Sequence, residues 1–124
     1  MSAMEVGQKL AALCKAGKGM EAVDTLYSDD IVSIEAQDFE GMPARMEGIE
    51  AVKGKNQWWY DNHEVHSLVT TGPFIGHNPD QFIVEFEIDV TAKASGERSQ
   101  MKEVGLYTAK DGKVVQEEFL YLMG

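Results

Sequence analysis

Aromatic and histidine side chains are concentrated in residues 54–66, which read GKNQWWYDNHEVH. Such a set could form a substrate platform, a metal site or ordinary core packing. Trp59 and His63 are four residues apart, so on a helix they would share one face. An imidazole with an ordinary pKa near ~6.5 exchanges protons at neutral pH, so His63 at a cavity mouth could act as a proton shuttle. The stretch predicts a pocket wall with one histidine that could take part in chemistry.

The same stretch contains a second tryptophan and a second histidine. Successive helical residues are ~100° apart, so Trp58 and Trp59 are expected on different faces. Trp59 should contact the sheet or the pocket wall, whereas Trp58 should lie beneath the 37–48 loop or in a subunit contact. His63 and His66 have the spacing of a metal motif, but they straddle a helix end and a strand start, so no metal site is predicted.

The overall charge of the chain restricts its partners. Its 124 residues include 11 basic and 21 acidic side chains, a net charge of −10. Nucleic acid and anionic membrane surfaces both demand a cationic face, so neither is an expected partner. No apolar run approaches the ~20 residues that span a bilayer, and the N-terminus lacks a secretory signal, so the expected compartment is the cytoplasm.

Disulfides and cofactors are not expected either. Cys14 is the single cysteine, which excludes an internal disulfide and a multi-cysteine metal site. It shares helical spacing with Val6, Leu10 and Leu13, which predicts core packing rather than a reactive thiol. The chain contains no glycine-rich dinucleotide motif and no phosphate loop. Any reaction would then rely on the protein's own side chains.

The elements that must position these residues follow from hydrophobic periodicity. Apolar spacing predicts three helices, over 4–17, 19–30 and 47–63. Alternation and β-branched residues predict five strands, over 31–36, 65–75, 81–91, 99–109 and 114–123. Residues 39–48 carry glycines and Pro43 and are predicted to form an irregular loop. The order is typical of a single α+β domain over residues 1–124, with helices on one face of a curved sheet.

Alternation also assigns faces to the strand over 81–91. Phe82, Val84, Phe86 and Ile88 should face inward, with Glu85 and Glu87 toward water. For the next two strands the pattern leaves both faces open. On one strand the alternatives are Met101, Glu103, Gly105 and Tyr107 against Lys102, Val104 and Leu106; on the other they are Val115, Glu117, Phe119 and Tyr121 against Val114, Gln116, Glu118 and Leu120.

Three segments carry a family likeness: YSDDIVSIEA, GIEAVKGKNQWW and LYTAKDGKVVQEEFLY. In their order and spacing the chain resembles the nuclear-transport-factor-two-like superfamily, and more narrowly its SnoaL-like domains, over nearly its whole length. The resemblance implies a cone, in which a curved mixed sheet wraps around the three helices and leaves an internal pocket. Members include ketosteroid isomerase, polyketide cyclases, dehydratases and proteins without catalysis, so the fold alone does not define an activity.

The resemblance to ketosteroid isomerase also implies roles for individual residues. The general base of that enzyme lies five residues after an Asp-Asp pair, which corresponds to Glu35 here. Its second carboxylic acid corresponds to Gly105 and its phenol donor to Lys9 or Leu10, none of which can serve, so steroid isomerisation is not expected. The match at Gly105 places Glu103 on the inner face, and the corresponding face of the last strand carries Glu117, Phe119 and Tyr121.

Glu35, Glu103 and Glu117 could then converge on one cavity. Carboxylates held together in a low-dielectric site cannot all ionise, so at least one remains a proton donor beside an acceptor. Lys55 could neutralise one of them, and Tyr121 could donate a hydrogen bond to a developing oxyanion. Glu118 should lie on the outer face, unless the register slips by one residue.

Two functions fit these residues. The first is cofactor-free acid–base catalysis of the isomerase, cyclase or dehydratase type on a small apolar carbonyl compound, with Glu35 as base and His63 in support. The predicted substrate-binding residues are Lys55, Trp59, Phe82, Val84, Phe86, Phe119 and Tyr121. The alternative is a non-catalytic ligand-binding or dimeric assembly domain. In either case an apolar outer sheet face predicts a homodimer, and its residues would be Val104, Leu106, Val114 and Leu120.

Overall fold

The computed structural model describes residues 1–38 and 41–122. They form three helices, α1 (Ala3–Lys15), α2 (Gly19–Leu26) and α3 (Ile49–Asn62). They also form six strands, β1 (Tyr27–Ile34), β2 (Arg45–Glu47), β3 (His63–Phe74), β4 (Gln81–Ala92), β5 (Arg98–Lys110) and β6 (Lys113–Tyr121). The fold class is α+β, as the sequence predicted.

The largest differences from the predicted elements lie in the 39–48 loop and at the junction of the second helix with β1. The predicted loop over 39–48 contains β2, which is too short to show an alternation but pairs with β1 in antiparallel register. Phe39 and Glu40 of that predicted loop lie outside the described residues. The second helix ends at Leu26, because Tyr27 is extended and pairs with Val114 as the first residue of β1.

One mixed, curved sheet contains all six strands, in the order β2-β1-β6-β5-β4-β3. β1 and β6 are parallel, and the other neighbours are antiparallel. Register shifts interrupt the β3–β4 pairing between Val65 and Ser67 and again between Thr71 and Phe74. Such irregularities bend a strand, which helps a sheet to curve around helices.

α1 lies against the β3–β4 end of this sheet. A capping box between Ser2 and Glu5 begins the helix, and its buried face includes Val6 and Leu10. At Gly7 the helix approaches the sheet so closely that an added Cβ would lie 3.0 Å from the Phe82 ring. Glycine therefore allows the contact that closes this end of the fold. No helix of the described residues is long and apolar enough to cross a membrane.

The pairing registers decide the faces that alternation left open. Phe82 pairs with Tyr107, which pairs with Glu117; Phe86 pairs with Glu103, which pairs with Tyr121. Because directly opposed residues share a face, Glu103 and Glu117 lie on the side that faces the helices. This is the face that the family resemblance selected. Glu118 pairs with Leu106 on the opposite side.

The outer sheet face is partly apolar. Val69, Ile83 and Leu120 are exposed there, and Val104 and Leu106 are partly buried. The prediction that Val114 belongs to this face is wrong, because Val114 is completely buried in the core. A register shift between Thr108 and Ala109 turns the start of β6 inward.

Candidate functional site

A cavity of about 650 Å³ lies between the helices and the inner face of the sheet. Its lining residues are Leu10, Cys14, Gly17, Gly19, Ala22, Val23, Tyr27, Glu35, Gln37, Lys55, Asn56, Trp58, Trp59, Tyr60, His63, Val65, Leu68, Phe86, Ile88, Met101, Glu103, Tyr107, Glu117, Phe119 and Tyr121. Tyr60 is 42% exposed and Val65 is 37% exposed, so these side chains border the mouth. Nine of the eleven residues predicted for the site line the cavity.

The other two, Phe82 and Val84, are placed in the core instead. Both are almost completely buried, and neither lines the cavity. Phe82 packs beneath Gly7 of α1 and stacks on Tyr107 at a centroid distance of 5.1 Å. Their alternation correctly indicated an inward direction, but α1 covers this end of the inner face.

Lys55 occupies the centre of the polar end of the cavity. Its ammonium nitrogen lies 2.9 Å from Glu35 Oε1 and also donates to Ser33 Oγ. The Lys55 and Glu35 side chains are only 4% and 13% exposed. A buried cation on α3 is thus held by Ser33 of β1 and by Glu35, which directly follows that strand, and Glu35 already has a partner.

Glu117 is the most deeply buried of the three carboxyl groups, with 1% exposure. It accepts hydrogen bonds from the Ser33 hydroxyl, at 2.8 Å, and from the Tyr27 hydroxyl. Burial raises the pKa of Glu117, while Lys55 and the two hydroxyl donors act in the opposite direction. Ser33 accepts from Lys55 and donates to Glu117, so one continuous chain of hydrogen bonds joins Glu35 to Glu117.

Glu103 differs from the other two glutamates. It lines the cavity, and within residues 1–38 and 41–122 it has neither an ion-pair nor a hydrogen-bond partner. Burial, together with the charges of Glu35 and Glu117, raises the pKa of Glu103 to about 7, although Lys55 opposes the shift. A carboxyl group in this environment can both release and take up a proton near neutral pH.

His63 lies where α3 passes into β3. Its Nδ1 is 2.8 Å from the carbonyl oxygen of Trp59. A carbonyl can only accept, so Nδ1 carries the proton and Nε2 of the neutral ring is left as an acceptor. The imidazole stacks on the Trp59 indole at 4.6 Å, which fixes its plane. His66 is in β3 and bonds Thr91, away from the cavity.

Both tryptophans line the cavity, whereas the sequence placed only Trp59 at the pocket wall. The Trp58 ring meets His63 edge-on, at a centroid distance of 6.1 Å. Because the cavity reaches the end of α3, two neighbouring faces of this helix border it. Residues 54–66 therefore supply a pocket wall of two indoles and one imidazole.

Sequence reasoning missed two tyrosines that line the cavity, Tyr27 and Tyr107, and the fully buried Ser33, which bonds Lys55 and Glu117 next to it. Tyr107 shares the predicted inner face with Glu103, and that alternation was the available signal. Tyr27 and Ser33 belong to a strand with a register shift between Tyr27 and Val32, which hides the period of two. Cys14, predicted as core filler, packs against the core and also borders the cavity. Burial raises the pKa of its thiol to about 11.

No set of three or more His, Cys, Asp or Glu side chains in the described part of the chain is placed to hold a metal ion. The groups present at the polar end are an ammonium, three carboxyls and three phenols. They can donate to an oxygen atom and exchange protons with a carbon or oxygen acid. The rest of the lining is mainly apolar and aromatic, which suits a small apolar ligand.

Residues 1–121 match the family model described as SnoaL-like domain. A crystal structure from Mesorhizobium loti, provisionally described as a SnoaL-like polyketide cyclase, is 44% identical with a TM-score of 0.90. The alignment covers 98% of this chain and 100% of that one. Its name also carries the bracketed term carbohydrate phosphatase, so the name does not define one activity.

More distant structures share the fold. A Bacillus subtilis protein, provisionally described as an isomerase, is 20% identical with a TM-score of 0.75, covering 98% of this chain and 90% of that one. A Catenulispora acidiphila protein with a ketosteroid isomerase-like fold, in complex with trimethylamine, is 18% identical with a TM-score of 0.69. That alignment covers 94% of this chain and 84% of the other. A search among curated proteins found no match.

Proposed function

This chain belongs to the SnoaL-like domain family, and from that membership and the cavity we propose that it is a cofactor-free acid–base catalyst. The reaction would be of the isomerase, cyclase or dehydratase type. The substrate would be a small, largely apolar carbonyl compound. Lys55 and Tyr121 would face its oxygen, while Trp59, Phe86 and Phe119 would contact its carbon skeleton.

The observation that carries this proposal is the environment of Glu103. A general base works best when its pKa lies close to the working pH. The pKa of Glu103 is raised to about 7, and the carboxyl group lines the cavity without a partner in the described chain. The family resemblance gives the role of base to Glu35, but Glu35 already accepts a bond from Lys55. We therefore place the proton transfer on Glu103 and treat Glu35 as the counterion of Lys55.

The proposed step is a proton abstraction beside a carbonyl group. The Glu103 carboxylate takes a proton from the carbon next to the carbonyl, and the electron pair of that C–H bond moves onto the carbonyl oxygen. A lysine ammonium has three N–H donors, and Ser33 and Glu35 occupy two of those of Lys55. The third has no hydrogen-bond partner among the described residues and would donate to the developing oxyanion. Glu103 then returns its proton to carbon or oxygen, which regenerates the carboxylate.

Proton exchange tests this directly, without knowledge of the natural substrate. The protein would be incubated in D₂O with a panel of cyclic and aryl ketones, and deuterium incorporation next to the carbonyl would be followed by NMR. Exchange should rise with pH and level off above about 7, as Glu103 ionises. Glu103→Gln should abolish it, because the amide cannot accept the proton.

Glu118→Gln is the matched control, because it removes a carboxylate from the neighbouring strand on the opposite face of the sheet. Its exchange rate should equal that of the parent protein. If Glu103→Gln exchanges as fast as the parent and Glu35→Gln does not, the base is Glu35. If neither variant changes the rate, the acid–base proposal fails.

The second candidate is a binding or assembly domain without catalysis. The Lys55–Glu35 ion pair favours it, because that pairing occupies the residue which the resemblance gives as base. Saturable binding of ketones, with no deuterium incorporation for any of them, would support this alternative. A homodimer through the outer sheet face is proposed under either function, since exposed Val69, Ile83 and Leu120 supply apolar contact area there.

A further inference from the structure

The ring of Tyr107 folds back over Gly105, two residues earlier on the same face of β5. A Cβ added to Gly105 would lie 2.6 Å from Tyr107 Cε2 and 2.8 Å from the hydroxyl oxygen. Real side chains do not tolerate such distances, so only glycine leaves room for this ring. The position where the resemblance expected a carboxylic acid is therefore filled by the phenol of Tyr107.

Two neighbouring rings hold Tyr107 in this orientation. Phe82 stacks on it, with 5.1 Å between centroids and 10° between planes. Phe119 meets it edge-on at 6.2 Å. With 2% exposure, the tyrosine has little freedom to turn. A donor held in place by packing does not need to reorganise when charge develops on a ligand.

The hydroxyl group of Tyr107 forms no hydrogen bond with any atom of the described residues, in contrast to that of Tyr27, which donates to Glu117. A buried phenol normally has a partner. Among the described residues, Thr70 Oγ1 is the one completely buried side-chain polar atom without a partner. The Tyr107 oxygen also lacks a partner, so it cannot be completely buried and must retain some accessible surface. Because Tyr107 lines the cavity, we infer that this surface faces the cavity.

The charges around this hydroxyl group keep it protonated. Burial raises the pKa of Tyr107 well above its ordinary value, and Glu117, Cys14, Glu103 and Glu35 act in the same direction. The group therefore remains an O–H donor over the whole range in which Glu103 titrates. It has a proton to donate and no acceptor within the described protein.

We propose that Tyr107 is the hydrogen-bond donor for an anionic or carbonyl oxygen of the ligand. This proposal rests on the proposed function in one respect: the oxygen would belong to the substrate carbonyl that becomes an enolate. The site then selects ligands whose oxygen reaches the Tyr107 hydroxyl group. The Tyr107 hydroxyl supplies a donor that the positions of Lys9, Leu10 and Gly105 cannot supply.

A phenolate tests this without any reaction, since its charged oxygen on a planar ring resembles an enolate. 4-Nitrophenol would be titrated into the protein between pH 5 and 8, with the phenolate followed by its visible absorption. Nitrobenzene, which has the same ring without the hydroxyl, would be titrated by quenching of tryptophan fluorescence. The parent protein should bind the phenolate more tightly than nitrobenzene below about pH 7, where Glu103 is protonated and the cavity carries less negative charge.

Tyr107→Phe keeps the ring and removes the donor. It should lose phenolate affinity by about tenfold or more and keep its nitrobenzene affinity within about twofold, because a hydrogen bond to a charged group is worth about that factor. Tyr60→Phe is the matched control, as it removes a phenol of the same cavity that lies at the mouth and is 42% exposed. Its phenolate affinity should stay within about threefold of the parent value.

Three results would overturn the proposal: no preference of the parent for the phenolate, an unchanged phenolate affinity in Tyr107→Phe, or a larger loss in Tyr60→Phe. The melting temperature of each variant separates binding from packing, because a purely structural role would lower stability and leave the ratio of phenolate to nitrobenzene affinity unchanged. This ratio is independent of catalysis. A phenolate preference that depends on Tyr107, without deuterium exchange, would support this proposal and exclude the acid–base function. Deuterium exchange without such a preference would support the acid–base function and exclude this proposal.

Discussion

The Lys55 ammonium nitrogen lies 2.9 Å from Glu35 Oε1, in a pair whose side chains are 4% and 13% exposed. The pair joins α3 to the end of β1, and Ser33 extends it to Glu117. Taking two charges out of water is costly, and each of them depends on the other once the pair is buried. At the polar end of the cavity, a substitution of one of these residues therefore leaves its partners buried without their hydrogen bonds or counterion.

Removal of Lys55 should therefore destabilise the protein strongly. We expect Lys55→Met to lower the free energy of unfolding by about 3–5 kcal/mol, because it leaves the Glu35 carboxylate buried and uncompensated. Lys53→Met is the matched control on the same helix, since Lys53 pairs with Asp24 at 3.1 Å but both side chains are well exposed. It should cost about 1 kcal/mol or less. Urea unfolding measures both.

The double variant Lys55→Met/Glu35→Gln should regain part of the loss, because the buried charge is then gone as well. Equal costs for Lys55→Met and Lys53→Met would show that the ion pair contributes no more than a surface pair.

As the pH rises from 4.5 to 7, the free energy of unfolding should fall because Glu103 ionises. Its pKa is about 7 in the folded protein against 4.5 for the free group, so the unfolded chain releases this proton first. Burial penalises the charged form of Glu103 only in the folded state. Its ionisation therefore lowers the free energy of unfolding by at most about 3 kcal/mol above pH 7. Burial raises the pKa of Glu117 too, which adds a fall in the same direction.

Glu103→Gln should remove the part of this pH dependence of stability that comes from Glu103. It should be more stable than the parent at pH 8 and similar to it at pH 4.5, as measured by urea unfolding across this range. Glu118→Gln controls for the loss of one negative charge from a chain of net charge −10. A parallel decrease in the parent and in Glu103→Gln would show that Glu103 ionises normally.

The contact between Gly105 and Tyr107 makes position 105 intolerant of a side chain. Gly105→Ala should destabilise the protein by about 1–3 kcal/mol, since the Tyr107 ring is packed by Phe82 and cannot move away cheaply. Gly54→Ala is the control: Gly54 lies in the exposed part of α3, and an added Cβ would meet nothing within 4 Å. That change should stabilise by about 0.5–1 kcal/mol. Thermal unfolding of the two variants, shifting in opposite directions, checks the expectation.

The outer sheet face should hold two copies of the chain together. Sedimentation equilibrium at micromolar concentration should give twice the chain mass of 13.7 kDa. Leu120→Lys, in the exposed apolar part of this face, should shift the protein toward the monomer, because the lysine would have to be buried on association. Glu64→Lys changes the charge of an exposed residue near the start of β3 and serves as the control. A parent protein that sediments only as a 13.7 kDa monomer would remove the prediction.

The sequence by itself determined the types of element and the direction of several side chains. Periods of about 3.6 and 2 are local properties, so they indicated the three helices, five of the six strands and the inward face of β4. The motif order indicated the family and, through it, the inner faces of β5 and β6. The sequence did not predict β2, because three residues are too few to show a period and only the pairing with β1 defines this strand.

The tertiary structure decided which of these residues have partners. Lys55 and Glu35 are 20 residues apart and Tyr27 and Glu117 are 90 apart, so no local pattern can predict that they meet. Strand register determined that Val114 turns inward and that the Tyr107 ring covers Gly105. Of three glutamates that look alike in the sequence, Glu35 is paired with Lys55 and Glu117 accepts from two hydroxyl groups, whereas the carboxyl group of Glu103 has no partner among the described residues and titrates near neutral pH. Burial and partners produce these differences, and both depend on packing between distant segments of the chain.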